Sequence, residues 1–332
     1  MTKINKIQFF DILDNFDVVP LTQSCGYVEM IDCGNSERFV FYTDNLSTPT
    51  FALCGRVSTF AGKKMLSIEG ECYAEKPNFE NRKTAQKFIS TLQEFYSNLT
   101  KEGFDIIEIQ SNARWNFGFE TALRQAGFLR PVGQFSIPIT RIVDLKKNIE
   151  YSRSLKSKLV KADKSALTFE VIANPQAKDI SDFCSIYSNM GKRKKLALHS
   201  EKNIALLLDD SSFYLLFVRR GEERVSTRIF YIHNKFSIDL YAATDENALK
   251  TGTSGFMYMS TFEYLKSQGC EFYDMAKLLP SSDNSIGKVF IFKNGIGGEN
   301  VILNGEFAWY RKKYLRVAMY FVKKIIFKKR EL

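Results

Sequence analysis

The stretch from Glu271 to Asn300 reads EFYDMAKLLPSSDNSIGKVFIFKNGIGGEN and decides how the rest of the chain is interpreted. Phe272 to Met275 predicts a short strand, and a polar loop containing Pro280 follows it. The compact apolar run from Val289 to Phe292 predicts a second, buried strand that delivers Lys293 into a glycine-rich turn. Such a turn lets a cation and backbone N–H groups approach a ligand together. Taken alone, the composition favours a plainer interpretation, a hairpin with a surface lysine.

The composition describes a folded chain of two domains. Its 332 residues exceed the length of one ordinary domain, and 45% of them are hydrophobic, enough to bury substantial cores. The net charge is +10, but nine Lys or Arg and no Asp or Glu lie between Arg311 and Arg330. Without these nine residues the chain is close to neutral, with 38 basic against 37 acidic residues, and smaller basic patches occupy 146–164 and 192–195. The basic character is therefore mostly a feature of the C-terminal segment.

The cysteine and histidine content argues against a metal site. The lack of a targeting segment indicates a cytoplasmic protein. The six cysteines form no C-x-x-C pair, and the histidines are His199 and His233. A tetrahedral zinc site is therefore not expected. The N-terminus has no secretory apolar region, and no apolar run reaches the roughly 18 residues that a spanning helix needs. A reducing compartment is the simplest interpretation.

The order of predicted elements repeats along the chain. Strand hairpins between Arg38 and Tyr73 are followed by a helix at 82–101, a strand, a second helix and another strand. After a polar connection, residues 152–274 again give a helix, strands in antiparallel sequence, a helix and a final strand. The sequence therefore predicts an α/β (α+β) fold with two tandem domains of mixed, mostly antiparallel sheets flanked by helices.

The C-terminal segment is predicted to contain a strand and then a basic amphipathic helix. Glu299 to Leu303 has a strand pattern, and Phe307 to Lys329 mixes apolar residues with lysines and arginines. The favoured interpretation packs the apolar stripe on the protein and leaves the lysines solvated. The alternative is contact with a membrane surface.

Several motifs of the chain resemble those of the Fem family. Its ending, Tyr273-Asp274-Met275 and then Phe292-Lys293-Asn294-Gly295-Ile296-Gly297-Gly298, is similar to the YD-(L/M)…FK-x-x-(F/I)-G-G ending of that family. Three further matches occur in the family's order: Gln23-Ser24 with Tyr27, the basic helix Ser154 to Ala162, and Phe183 with Tyr187 and Met190 before Lys192-Arg193. The Phe-Lys-Gly-Gly ending is the most specific of these motifs.

The resemblance implies two tandem GNAT-like domains. Fem proteins are aminoacyltransferases that build peptidoglycan cross-bridges, and related acyltransferases share their fold. By the resemblance, residues 1–145 and 305–332 form a first, acceptor-side domain that the C-terminal helix completes. Residues 146–304 form a second, donor-side domain.

A transferase of this kind needs no covalent intermediate. It holds an acyl donor and an amine so that the amine attacks the carbonyl directly, and backbone N–H groups at two splayed strands stabilise the oxyanion. By resemblance, Lys293 lies near the acyl end of the donor and stabilises negative charge or a leaving oxygen, with Phe292 packed beside it. Asp274 either orients the acceptor amine or caps the following turn, and capping is the commoner role of such an aspartate.

Candidate substrate contacts are glycines and surface cations. The segment from Thr251 to Gly255 is a degenerate form of the loop that holds coenzyme A, without the expected Gln or Arg, which leaves coenzyme A use open. The donor-binding candidates are Gly252, Gly255, Gly295, Gly297, Arg153, Lys156, Lys192 and Arg193. The candidates for an acceptor diphosphate are Arg38, Lys63 and Lys64.

Three functions follow, in order of preference. The first is transfer of an aminoacyl group from aminoacyl-tRNA to an amine of a nucleotide- or lipid-linked cell-envelope precursor. The second is acyl-coenzyme A dependent N-acylation of an amino sugar for a surface polysaccharide. The third is non-catalytic binding of RNA or a membrane surface through the basic tail. The resemblance implies no tightly bound cofactor, and it places the chain in the cytoplasm, with the inner face of the membrane as a further location.

Overall fold

The computed structural model describes residues 1–33, 38–75, 81–131, 139–277 and 284–326. The chain forms two compact units. The first unit comprises Met1–Ser24, Gly34–Ile139 and Ile302–Leu332, and the second comprises Cys25–Cys33 and Thr140–Val301. The second unit thus takes in Cys25–Cys33, a segment that the predicted domain bounds assign to the first domain.

The described chain contains both strands and helices. The strands are β1 (Thr2–Ile4), β2 (Phe39–Thr43), β3 (Phe51–Phe60), β4 (Lys63–Glu69), β5 (Cys72–Tyr73), β6 (Ile106–Arg114), β7 (Ile139–Asp144), β8 (Leu167–Ile172), β9 (Phe213–Arg220), β10 (Glu223–His233), β11 (Phe236–Thr244), β12 (Phe272–Lys277) and β13 (Glu299–Tyr310). The helices are α1 (Lys6–Asp11), α2 (Cys25–Asp32), α3 (Arg82–Leu99), α4 (Phe117–Gln125), α5 (Arg153–Lys164), α6 (Ala177–Lys194), α7 (Glu201–Leu208), α8 (Thr253–Ser267), α9 (Asn284–Asn294) and α10 (Lys313–Ile326).

Each unit contains a mixed sheet with one parallel pair of strands. In the first unit the strand order is β1-β2-β3-β4-β6-β13, and β4 and β6 are parallel. In the second unit the order is β7-β12-β11-β10-β9-β8, and β11 and β12 are parallel. The other described pairings in the two sheets are antiparallel. The predicted fold class, mixed and mostly antiparallel sheets flanked by helices, is confirmed.

Helix α3, predicted at 82–101, buries an apolar stripe in the first unit. Leu92, Phe95 and Leu99 are spaced by three and four residues and pack into the core with β-strand side chains. The Asn81 side chain begins the helix by accepting from the N–H groups of Lys83 and Thr84. The helix therefore follows from its apolar spacing and its cap.

Gln23 of the Gln-Ser motif has a structural role in the first unit. Its buried side-chain amide accepts from the Cys54 N–H at 2.6 Å and donates to the carbonyls of Cys54, at 3.2 Å, and Glu69, at 2.8 Å. A buried amide satisfied in this way joins the chain entering the unit to strands β3 and β4. Gln23 of the motif thus helps to fix the fold of the first unit.

A carboxylate is buried in the core of the first unit. Glu71 accepts hydrogen bonds from the hydroxyls of Tyr96 and Ser111, each at 3.1 Å, and from Tyr73 at 3.4 Å. Burial raises the pKa of Glu71 to about 7, although these donors act in the opposite direction. The folded protein therefore holds a proton on Glu71 that the unfolded chain releases at lower pH.

The pKa of Glu71 predicts that this group stabilises the fold less as the pH rises. Its contribution is fully present below the unfolded pKa of 4.5 and is lost as the pH rises through about 7. Between about pH 5 and 8 the loss is roughly 2–3 kcal/mol. Urea unfolding at several pH values measures the free energies of unfolding of wild type and Glu71→Gln. We expect the difference between the two to shrink or reverse toward high pH. A difference that does not vary with pH would contradict this.

Two predicted elements are wrong. Val289 to Phe292 is not a buried strand but part of α9, and Ile291 points into solvent. A short apolar run does not distinguish the two structures by periodicity, because both bury apolar residues. Phe307 to Tyr310 is not the start of the last helix, since these residues extend β13 and pair with Ile106 to Ile109 of β6. Aromatic residues in a pairing strand override the helical pattern that continues after them.

The C-terminal helix α10 packs on the first unit. Leu315 and Met319 are buried against Ile106 of β6, and the Lys323 ammonium lies 2.9 Å from the Glu108 carboxylate. The apolar stripe thus packs in part on the protein, as the favoured interpretation of the sequence expects. Within the described ranges, no helix has both the length and the apolar character needed to cross a bilayer.

Candidate active site

The two parallel strands of the second unit separate next to the residues predicted to be catalytic. β11 and β12 are paired over Phe236–Ile238 and Phe272–Asp274, and each strand then continues without the other. An extra residue, Leu240, bulges from β11, and Met275 with Ala276 bulges from β12. Bulges turn side chains and carbonyls out of the ladder. Beyond Ile238 and Asp274 these two strands are therefore no longer paired with each other.

Asp274 lies at the end of the paired segment and is buried. Its Oδ1 accepts from the Thr140 hydroxyl and from the Ala276 N–H, the latter at 2.8 Å. Burial raises the pKa of Asp274 to about 6, while the two hydrogen bonds and Lys293 act to lower it. Ala276 has a φ of +59°, a strained value for a residue with a Cβ. A carboxylate with a pKa close to neutrality can take up and release a proton.

Lys293 reaches the same place from the last turn of α9. Its ammonium donates to the Met275 carbonyl in the bulge of β12. Burial lowers the pKa of Lys293, whereas Asp239 and Asp274 act to raise it. The structure thus brings together two of the three predicted catalytic residues, Lys293 and Asp274. The loop predicted around Pro280 lies in 278–283, outside the described residues.

Behind Lys293 lies a buried ionic network that the sequence analysis missed. Arg228 of β10 is fully buried, donates to the Tyr273 hydroxyl at 2.8 Å and lies 3.4 Å from the Asp239 carboxylate. Asp239 also accepts from the Tyr258 hydroxyl at 3.1 Å, and the guanidinium stacks 3.6 Å from the ring of Tyr258. Burial acts to lower the pKa of Arg228, but Asp239 and the tyrosines outweigh it and raise it. The feature of the sequence that could have revealed this network is the presence of charged residues inside strands β10 and β11.

The network places unsatisfied donors in the interior. Nε and Nη2 of Arg228 have no hydrogen-bond partner within the part of the chain that the structure describes. A buried charge without full pairing strengthens the local electrostatic field, because the surroundings have a low dielectric constant. Two cations, Arg228 and Lys293, and two carboxylates, Asp239 and Asp274, thus interact at this place.

Phe292, the third predicted catalytic residue, packs beside this network. Its ring centroid lies 5.8 Å from that of Tyr258, and the Lys158 ammonium lies 5.4 Å from it. These contacts fix the last turn of α9, which carries Lys293. Phe292 therefore acts through packing in this structure.

The glycine-rich turn after Lys293 is held by Arg141, another residue that sequence reasoning missed. Arg141 donates to the Gly297 carbonyl at 2.7 Å and to the side-chain oxygens of Asn294, at 2.8 Å, and Asn300, at 2.7 Å. A Cβ on Gly298 would lie 2.5 Å from the Ile142 carbonyl oxygen. The turn thus needs its glycine to lie against β7.

Two predicted donor-binding glycines in the turn also have packing roles. A Cβ on Gly295 would lie 2.8 Å from the Ser152 hydroxyl oxygen, and one on Gly297 would lie 3.0 Å from the Glu150 carbonyl oxygen. The Ser152 N–H donates to the Gly295 carbonyl at 2.9 Å. Close approach of 150–152 explains both glycines, and donor contact by them stays a prediction.

The glycines before α8 face another helix. Gly252 has a φ of +81°, and a Cβ there would lie 2.0 Å from the Lys158 carbonyl oxygen of α5. A Cβ on Gly255 would lie 2.8 Å from Leu155 of the same helix. Helix α5 therefore lies against the N-terminus of α8, where a pyrophosphate would approach in the coenzyme A loop. The structure gives these glycines a packing reason.

Gly252→Ala is expected to destabilise the second unit. The left-handed conformation costs about 1–2 kcal/mol and the overlap with the Lys158 carbonyl adds roughly 1–3 kcal/mol. Gly269→Ala is the matched control, because Gly269 has a φ of +75° and no atom within 4 Å of the added Cβ. Thermal and urea unfolding measure both variants. Equal destabilisation of the two would contradict the packing role.

The predicted cations lie at several places. In the second unit, Arg153 and Lys156 are exposed on α5, and Lys192 and Arg193 are exposed at the end of α6. The Arg193 guanidinium donates to the Thr244 carbonyl, at the end of β11, at 3.1 Å. Their donor contacts stay predictions.

The acceptor-side cations lie in the first unit. Arg38 precedes β2, Lys63 and Lys64 begin β4, and the Lys64 ammonium lies 5.0 Å from the Phe104 ring centroid. Their contact with a diphosphate stays a prediction. Among the residues that the structure describes, no three His, Cys, Asp or Glu side chains are grouped as a metal site would need.

The whole chain is similar to solved structures, whereas no family model and no curated protein matches its sequence. FemX is 13% identical with a TM-score of 0.74, over 96% of this chain and 100% of that chain. L-PGS from Bacillus licheniformis is 14% identical with a TM-score of 0.65, over 98% of each chain. The C-terminal domain of a proposed lysylphosphatidylglycerol synthetase from Agrobacterium fabrum is 13% identical with a TM-score of 0.58, over 96% of this chain and 95% of that domain.

These similarities establish the fold. The alignments run from end to end in each case, so both units belong to the shared architecture. The fold that the sequence resemblance to Fem proteins implies is confirmed.

Proposed function

We propose that this chain transfers an aminoacyl group from aminoacyl-tRNA to an amine of a cell-envelope precursor. The observation that carries the proposal is the convergence of the buried Asp274 carboxylate and the partly buried Lys293 ammonium at the point where β11 and β12 separate. A fold shared with FemX over the whole chain supports the same reaction class. The resemblance of the motif ending at Gly298 to Fem proteins points to the same chemistry.

The proposed chemistry is direct aminoacyl transfer. The neutral amine attacks the ester carbonyl, a C–N bond forms, and the C–O bond to the terminal ribose of the tRNA breaks. The amine gives a proton to the Asp274 carboxylate, and the leaving ribose oxygen takes one from the Lys293 ammonium. Exchange with solvent restores both groups. The lowered pKa of Lys293 favours this donation, and its charge stabilises the oxyanion beforehand.

The environment of Gly252 favours aminoacyl-tRNA over acyl-coenzyme A as the donor. Coenzyme A binding in the manner of GNAT enzymes needs free backbone N–H groups at the N-terminus of a helix. The carbonyl of Lys158 lies against this terminus of α8. A tRNA instead needs phosphate contacts along an extended surface, and exposed Arg153 and Lys156 on α5 are candidates for them.

The acceptor is proposed to be nucleotide- or lipid-linked. Arg38, Lys63 and Lys64 in the first unit are the candidates for holding its diphosphate, because Lys and Arg are the usual partners of phosphate oxygens. One of the similar structures belongs to a protein named for lysylphosphatidylglycerol synthesis, which supports an envelope acceptor. The reaction would then take place in the cytoplasm, at the inner face of the membrane if the acceptor is lipid-linked.

The pKa of Asp274 predicts the pH dependence of the reaction. Asp274 accepts a proton only when ionised, so kcat/KM should rise about tenfold between about pH 5 and 7, around the pKa of about 6. Asp274→Asn should remove this rise and lower the plateau. Asp163→Asn, an exposed change on α5, should keep it. An unchanged profile in Asp274→Asn would exclude the carboxylate as the base.

A donor screen tests the proposal. The protein is incubated with a pool of radiolabelled aminoacyl-tRNAs or with acyl-coenzyme A, together with nucleotide-linked peptides, amino sugars or extracted envelope lipids. We expect label to pass from at least one aminoacyl-tRNA to an acceptor. Transfer from acyl-coenzyme A alone would identify the N-acyltransferase instead, and no transfer from either donor would contradict the proposed function.

A further inference from the structure

Helix α10 has two apolar faces. Leu315, Met319 and Lys323, at intervals of four residues, face the first unit. Tyr314, Val317 and Phe321 lie on the opposite side, because residues three and seven apart share a face about half a turn from the first set. Their side chains are 58%, 58% and 54% exposed. The second face is therefore a large apolar surface that the described chain does not cover.

Basic residues border the outer face. Lys312 and Lys313 are exposed beside it at the N-terminus of the helix. In the sequence, no acidic residue occurs between Arg311 and Arg330. The occupant of this face must therefore be both apolar and negatively charged.

An anionic bilayer meets both requirements. Its headgroups attract lysines at about 1 kcal/mol each, and its interface accepts Tyr, Val and Phe side chains to a depth of about 5–10 Å. A second copy of the same helix would bring like charges together, since the face carries only basic residues.

We propose that the outer face of α10, formed by Tyr314, Val317 and Phe321 with its basic border, docks the protein on an anionic phospholipid surface. This inference goes beyond the proposed function, because docking needs neither Lys293 nor a donor. It also favours a lipid-linked acceptor over a nucleotide-linked one, since docking holds the protein where such acceptors lie.

Sedimentation with vesicles tests the docking. Wild-type protein should bind vesicles of phosphatidylcholine mixed with phosphatidylglycerol and should not bind vesicles of phosphatidylcholine alone. Val317→Ser/Phe321→Ser and Lys312→Ser/Lys313→Ser should each weaken the binding by about tenfold or more. The matched control is Leu196→Ser/Ile302→Ser, which removes equally exposed apolar side chains elsewhere and should bind as wild type does.

Tryptophan fluorescence shows whether the outer face of α10 contacts the vesicle. Phe321→Trp should shift its emission to the blue on anionic vesicles, and Ile302→Trp should not. Equal binding to neutral vesicles, unchanged binding of Val317→Ser/Phe321→Ser, or no binding to anionic vesicles would each overturn the proposal. Aminoacyl transfer to a soluble acceptor, measured in the same variants, keeps this result separate from the proposed function.

Discussion

Lys293→Met is expected to lower kcat by about 10²–10³-fold, the effect of removing one preorganised group that stabilises an oxyanion. The substitution keeps the length and apolar stem of the side chain in a largely buried site, so the fold should remain intact. The donation from Lys293 to the Met275 carbonyl is lost with the charge. Steady-state transfer assays measure the change, with circular dichroism as the check on folding.

Lys288→Met is the matched control for this prediction. Lys288 lies on the same helix, α9, but its side chain is exposed. The same chemical change there should alter kcat by less than about twofold, since an exposed charge is screened by solvent. Equal losses in the two variants would assign the effect to α9 as a whole. Full activity of Lys293→Met would remove Lys293 from the mechanism.

Arg228→Met is expected to lower the free energy of unfolding by about 3–5 kcal/mol, because it leaves the buried Asp239 carboxylate without its cation. The Tyr273 hydroxyl loses its 2.8 Å donor at the same time. Urea unfolding followed by circular dichroism measures the loss. Arg220→Met, which breaks an exposed ion pair with Glu223 at 3.4 Å, should cost less than about 1 kcal/mol.

A double variant separates the ionic effect from the packing effect. Arg228→Met/Asp239→Leu removes both charges, and apolar replacement of a buried pair is often neutral or stabilising. The double variant should therefore recover at least half of the stability that Arg228→Met loses. A double variant less stable than Arg228→Met would contradict the ionic account of the network. Its activity then reports whether the field of Arg228 contributes to catalysis.

The sequence predicted strands β8 to β12 of the second unit but not β7, because residues 141–144 were assigned to a polar connection. The resemblance to Fem proteins, and not a pattern in the residues alone, placed Asp274 and Lys293 in one region. The sequence did not specify that 284–294 is helical, since the apolar run there is too short to show a period. The Met275 carbonyl that accepts from Lys293 lies in a bulge of β12, and no local sequence pattern predicts that bulge.

Contacts between residues that lie far apart in the sequence could not be predicted. Arg228 and Asp239 lie on neighbouring strands, and only the register of β10 with β11 brings them together. Arg141 holds the turn after Lys293 from a position more than a hundred residues earlier. The glycines at 252 and 255 suggested a phosphate loop, whereas tertiary packing against α5 explains them. The structural roles of these residues therefore depend on contacts with residues that are distant in the sequence.

The most direct test of the account is a single-turnover reaction in which excess protein is mixed with labelled aminoacyl-tRNA and an acceptor. Wild type and Lys288→Met should form the new amide bond rapidly. Lys293→Met should bind the aminoacyl-tRNA as tightly but form the bond about 10²–10³-fold more slowly. Bond formation by Lys293→Met at the wild-type rate would contradict the central claim that this lysine, at the separation of β11 and β12, performs the transfer.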